Sequence, residues 1–99
     1  MPVDITEYNQ LATDHIGRVV AAGQEPRRTN QQVTAGGVSA QSAAFGDGTK
    51  FVRVHTDAAI RIEFGLNPTA AATSPRMAAG STEFFGVRAG DKAAVITTT

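Results

Sequence analysis

The only imidazoles in the 99-residue chain are His15 and His55, 40 residues apart, and there is no cysteine. Metal ligands come in closely spaced His/Cys sets, so no zinc site and no cofactor are expected. His55 and Asp57 are two residues apart near the end of a strand, a spacing that would let them share a face and a proton. With a serine from elsewhere in the chain they would make a nucleophilic triad, but the simpler reading has Asp57 start a bend and His55 flank it. Gly46-Asp47-Gly48-Thr49-Lys50 has the composition of a phosphate loop. It lacks the G-x-x-x-x-G-K-[ST] spacing, and a strand follows where a helix is needed, so it reads as a hairpin turn. No two carboxylates are placed together for glycosidic chemistry. No catalytic residue is expected.

The elements that would carry a site must come from a chain with little bulk. Of the 41% of residues that are hydrophobic, 17 are Ala, and Leu occurs only at positions 11 and 66. Alanine brings little apolar area, so a domain of this length has a narrow margin and gains stability from neighbours. Abundant Val and Thr suit a pleated surface and bias the chain towards β structure. Nine basic and nine acidic residues cancel and are scattered singly, which argues against nucleic acid as a partner. No apolar run is long enough to span a bilayer, and no export signal is readable at the start, so the expected setting is a reducing cytoplasm without membrane contact.

Period-2 alternation is clearest at 58–64, where Ala58, Ile60, Ile62 and Phe64 alternate with Ala59, Arg61 and Glu63. At 49–55, Val52 and Val54 alternate with Phe51, Arg53 and His55. These two strands are expected to form a hairpin around Thr56-Asp57-Ala58 in the register that sets Arg53 against Glu63, Val54 against Ile62 and Val52 against Phe64. A second hairpin is expected from 83–87 and 93–97 through Arg88-Ala89-Gly90-Asp91. Between them, 66–80 holds Pro68 and Pro75 and reads as a loop or irregular edge. Upstream, 31–35 and 38–45 read as strands about Gly36-Gly37. At the start, Asp4-Ile5-Thr6-Glu7 fits a capping box, and Ile5, Tyr8 and Leu11 are spaced for a short helix. Equally, 6–12 and 18–22 make two strands turning at Gly17, and this extended reading is preferred. The sum is a single mainly β domain over 1–99, with an N-terminal arm or hairpin over 1–30 and a core over 31–97. Its expected form is an antiparallel β-sandwich or jelly-roll-like fold of six to eight short strands.

Adjacent residues on a strand point to opposite faces, so of Phe84 and Phe85 one enters the core and the other faces outward or into a second layer. Phe51 raises the same question, because Val52 and Val54 claim the other face. A contact surface is therefore expected from Phe51, Arg53, Arg61, Phe84 or Phe85, and the 66–80 loop with Pro68 and Met77.

Three runs resemble small proteins encoded among the head genes of tailed bacteriophages and prophages. One is Thr49-Lys50-Phe51-Val52-Arg53-Val54-His55-Thr56-Asp57-Ala58 leading to Ile62-Glu63-Phe64-Gly65-Leu66-Asn67-Pro68-Thr69-Ala70. The second begins Pro75-Arg76-Met77, passes through Glu83-Phe84-Phe85-Gly86-Val87 and ends in Gly90-Asp91-Lys92-Ala93-Ala94-Val95-Ile96. Ser39-Ala40-Gln41-Ser42-Ala43-Ala44-Phe45 fits the same pattern. The likeness covers residues 31–96 and consists of strands and turns, with no catalytic signature. It implies a virion component made in the host bacterial cytoplasm, first a capsid decoration or cement protein bound to the major capsid protein and forming homo-oligomers. Second comes a head–tail junction or tail protein. A free binding module for a host protein or glycan is the reading outside that class, weakened for glycans by the lack of Trp.

Overall fold

The computed structural model describes residues 2–13 and 16–98, and in them every regular element is a strand. The chain runs β1 (Pro2–Tyr8), β2 (Leu11–Thr13), β3 (Val19–Gly23), β4 (Thr29–Thr34), β5 (Ala40–Gln41), β6 (Phe51–Thr56), β7 (Ile60–Gly65), β8 (Arg76–Met77), β9 (Thr82–Gly86) and β10 (Lys92–Thr97). One antiparallel sheet has the order β4-β1-β6-β9, a second β5-β10-β7-β8, and β2 and β3 form a separate two-stranded arm. The two four-stranded sheets are packed face to face. Val3, Ile5, Val33, Val52 and Val54 from the first meet Ile60, Ile62, Met77, Ala93 and Val95 from the second. The mainly β, sandwich-like architecture is as the alternation and composition imply.

Residues 4–8 lie inside β1 and form no helix. Val3 and Ile5 go inward between β4 and β6, a period of two that a helix cannot match. The strand expected over 6–12 is broken between Tyr8 and Leu11, and its second part pairs with β3 to make the arm. Gly17, at φ 87°, lies in the connection of that arm, as expected for its turn. The strands expected at 31–35 and 38–45 are Thr29–Thr34 and the two-residue β5, whose Ala- and Ser-rich continuation still follows β10. There Ser42 N–H donates to Ala93 O (2.7 Å) and Phe45 N–H to Asp91 O (2.8 Å).

Both expected hairpins are arches between sheets. β6 pairs with β1 and β9, while β7 pairs with β10 and β8, so Arg53 lies beside Thr6 and Phe84, and Glu63 beside Ala94. Likewise β9 belongs to the first sheet and β10 to the second. The alternation in each strand is as read, but alternation sets which face goes inward and leaves the partner open. The connections carry the reason for the arch. Thr56 Oγ1 donates to Ala58 O (2.7 Å), and the Thr56 and Ala59 carbonyls accept from Gly80 N–H (2.8 Å) and Thr98 N–H (3.0 Å). Other segments thus take the groups that a tight hairpin would close on itself.

The outer face of the second sheet is roofed by the 66–75 segment. Gln41 Nε2 donates to Pro68 O (2.7 Å), Ala70 N–H to Ser39 Oγ (2.9 Å) and Arg61 Nη1 to Ser74 O (2.8 Å). Pro68, Ala70 and Ser74 are buried there, and Ala94, on the same face of the sheet as Gln41 and Glu63, is fully buried. In the first sheet the inward position after Ile5 is Glu7, 2% exposed. Its Oε1 accepts from Gly46 N–H (3.0 Å) and Thr49 Oγ1 (2.8 Å), and Oε2 accepts from Gln31 Nε2 (3.3 Å). Replacing Glu7 with Gln sets an amide against donors that need an acceptor, and is expected to cost about 1–3 kcal/mol in urea denaturation. An unchanged midpoint would show that this carboxylate ties nothing.

Candidate interaction surface

The outer face of the first sheet brings several of the candidate residues together. Registers across β4, β1, β6 and β9 place Gln32, Asp4, His55 and Thr82 in one row, and Asn30, Thr6, Arg53 and Phe84 in the next. Tyr8, Phe51 and Gly86 form the third. Towards β4 the rows are closed by polar pairs: Gln32 Nε2 donates to Asp4 Oδ1 (2.8 Å), and the Thr6 hydroxyl donates to Asn30. Towards β9 an aromatic line runs diagonally, from Tyr8 and Phe51 in the third row to Phe84 in the second. The Tyr8 and Phe51 rings stack at 5.3 Å between centroids, and Phe51 meets Phe84 at 6.1 Å. Burial falls along this line, from 7% exposure at Tyr8 to 53% at Phe84.

The doubled phenylalanine is divided as strand geometry demands. Phe85 turns inward and meets Phe64 at 4.9 Å, with Phe64 in turn 6.4 Å from Phe45. Phe84 is therefore the outward ring of the pair. The other residues anticipated as one surface do not come together. Arg53 shares the outer face with Phe51 and Phe84, whereas Arg61 lies on the opposite side of the sandwich, spent on Ser74. Met77 is 1% exposed in the core and Pro68 is buried under its own loop. Those two side chains have no free face: Met77 fills the core between the sheets and Pro68 lies in the roof over the second sheet, while Leu66 of the same loop stays exposed.

Sequence reasoning anticipated the arm's two strands and its turn at Gly17, but not how the arm is anchored or that it carries exposed apolar residues. Gly23 rests on the Tyr8 ring so closely that a β-carbon there would lie 2.4 Å from it, and Tyr8 Oη donates to Glu25 Oε2 (2.7 Å). Glu25 Oε1 accepts from Arg27 N–H (3.0 Å), and Gln24 N–H donates to Gln10 O (3.0 Å). So anchored, the arm leaves Leu11, Ile16 and Val19 between 42% and 65% exposed. Between it and β9 is an apolar groove of about 390 Å³, lined by Leu11, Ala22, Phe51, Phe84, Phe85 and Gly86. The available signal was three large apolar residues scattered in an otherwise polar stretch around Gly17, a pattern no buried face explains.

The remaining candidates resolve locally. His55 Nδ1 is 2.7 Å from Thr82 Oγ1 and Nε2 is 3.2 Å from Asp57 Oδ1, so a hydroxyl, an imidazole and a carboxylate do stand in line. The His55 and Asp57 side chains are 31% and 66% exposed, and neither they nor Thr82 line the groove. The Gly46 amide, which a phosphate would need, is committed to Glu7. That loop joins β5 to β6 across the two sheets and so is a turn without being a hairpin. Among the described residues no three His, Asp or Glu side chains cluster as metal ligands, and His15 lies outside them. Comparison with protein-family models, curated proteins and solved structures finds no match.

The Tyr8 phenol is raised above its ordinary 10.0, first by its hydrogen bond to Glu25 and then by burial and the Glu25 charge. The fold thus favours the neutral phenol. This contribution is complete below pH 10 and is lost as pH rises through the higher value of the folded state. Tyr8 is the only tyrosine, so tyrosinate absorbance reports it alone. Its midpoint is expected to fall in Glu25→Gln, and Tyr8→Phe is expected to abolish this part of the alkaline destabilisation. An identical midpoint in the Glu25 variant would rule out the clamp.

Proposed function

We propose that the protein is a structural component of a bacteriophage virion, a decoration or cement protein that binds the major capsid protein of the assembled shell. The observation that carries a contact role is the aromatic row Tyr8-Phe51-Phe84, which grows more exposed towards β9 and ends beside an apolar groove and arm. Aromatic residues with an adjacent arginine are the composition favoured at the centres of protein interfaces, and Arg53 is in the same row as Phe84. The virion setting is supported by the resemblance of residues 31–96 to phage head-region proteins. A thin core adds to the case, since binding an assembled shell stabilises a marginal domain by mass action.

Purified particles test this directly. Many copies at symmetric capsid positions are expected, and copies confined to one vertex would move the protein to the head–tail junction or tail. Absence from particles, with binding to a host protein or glycan instead, would replace the virion reading with a free binding module. Phe84→Asp is expected to leave a soluble, folded protein that no longer joins the particle. Normal incorporation of that variant would remove Phe84 from the contact.

A further inference from the structure

β9 is an edge of the first sheet. Val87 N–H donates to Lys50 O (3.1 Å) and Thr56 N–H to Ser81 O (3.2 Å), which fixes the alternation of the antiparallel ladder between β6 and β9. Residues 81, 83, 85 and 87 therefore turn their backbone groups to β6. Thr82, Phe84 and Gly86 turn theirs away from the sheet. Among the described residues no strand pairs with that side. Of the usual edge protections, β9 has one, the charge of Glu83 on the face it shares with Val54 and Phe85, and it contains no Pro or Lys. The edges of the second sheet, β5 and β8, are only two residues long. The other long edge, β4, carries mostly polar Thr, Asn and Gln side chains, and the cleft beside it is lined by Glu7, Arg28 and Gln31 as well as Ala43 and Ala44.

We propose that β9 is a homodimerisation edge, where Thr82–Gly86 of two copies pair antiparallel about a two-fold axis at Phe84 and join their first sheets into one. This register sets Phe84 against Phe84 of the second copy and Thr82 against Gly86, so every outward-facing backbone group of the strand is paired. Sliding it one way brings Glu83 against Glu83, which repels; sliding it the other way carries the ends beyond the strand. In the centred register Glu83 faces Phe85 instead. The aromatic row gives the side-chain reason for a second copy in particular. Its steps of 5.3 and 6.1 Å stop at a half-exposed ring on the edge. A symmetric Phe84 one strand spacing away continues the row into the Phe51 and Tyr8 of the other molecule and closes the open side of the groove.

Net charge offers no obstacle, being formally zero at pH 7. A five-residue strand edge with one ring per copy covers roughly half of the ~800 Å² per partner of a standard interface, so the dimer is concentration-dependent and not permanent. This inference does not rest on the virion reading and can stand or fall alone.

Sedimentation velocity on the purified chain, from about 1 µM to about 500 µM, should show monomer passing to dimer within that range. Hydrogen exchange on the same samples should show amides 82, 84 and 86 gaining protection as concentration rises, while 83 and 85 are protected throughout. Phe84→Asp should weaken the dimer at least tenfold. Gly86→Pro should do the same with Phe84 in place, because it removes an outward N–H at a position where a β-carbon meets nothing within 4 Å. A chain that stays monomeric through the range, a dimer that survives Gly86→Pro, or protection that appears elsewhere would each overturn the proposal.

Discussion

The junction of Glu7 and Tyr8 at the end of β1 holds the rest of the structure in place. Adjacent on one strand, the two side chains point to opposite faces of the first sheet, and each secures what lies on its side. Glu7 draws the 46–49 connection and Gln31 onto the interior where the chain crosses from the second sheet back to the first. Tyr8 holds the arm through Gly23 and Glu25 and begins the outer aromatic row. Their main-chain carbonyls accept from Arg28 N–H (2.9 Å) and Lys50 N–H (2.9 Å), so the return from the arm and the start of β6 are registered at the same place. A buried carboxylate is costly unless its lone pairs are used, and here backbone, hydroxyl and amide donors use them. The same requirement orders the loop that supplies two of those donors.

The strands were legible in the sequence because side-chain alternation is a local property. Val52 and Val54, or Ile60 and Ile62, announce a buried face without reference to anything else. Pairing is not local: β6 bonds to β1, some fifty residues earlier, and nothing in either segment names the other. A good cross-strand match between Arg53 and Glu63 therefore pointed to a hairpin, although the two residues lie in different sheets. The match was real chemistry with the wrong geometry, since an arch satisfies the same inward residues by setting them across the core from each other. Where the turn carbonyls are claimed by distant segments, as those of Thr56 and Ala59 are, the hairpin gives way.

The candidate contact surface was legible to a similar depth. Parity required one of Phe84 and Phe85 to face outward without saying which, and it set Phe51 and Arg53 on the face opposite Val52 and Val54. Met77 and Pro68 were misplaced because a short, proline-bearing segment carries no period from which to read its burial. Both are consumed by the second sheet, one from within and one from the roof formed by 66–75. The arm was read as a hairpin turning at Gly17, but its place in a surface was not, for the opposite reason: Leu11, Ile16 and Val19 are exposed, and a reading that searches for buried faces has no place for them.

Two aromatic rows flank β9, and their difference shows what the molecule completes by itself and what it leaves open. The inner row, Phe85-Phe64-Phe45, runs into the interior and supplies the bulk that an alanine-rich core lacks. The outer row begins on the anchored Tyr8 ring and loses its cover at each step towards Phe84. A chain short of large apolar residues has placed one of its five phenylalanines half in water at a sheet edge, and a second, Phe51, only partly under cover. In a monomer that arrangement forgoes burial the core needs. It becomes consistent with the rest of the fold when the outer face of the first sheet is an interface, where the same rings recover in association what they give up in isolation.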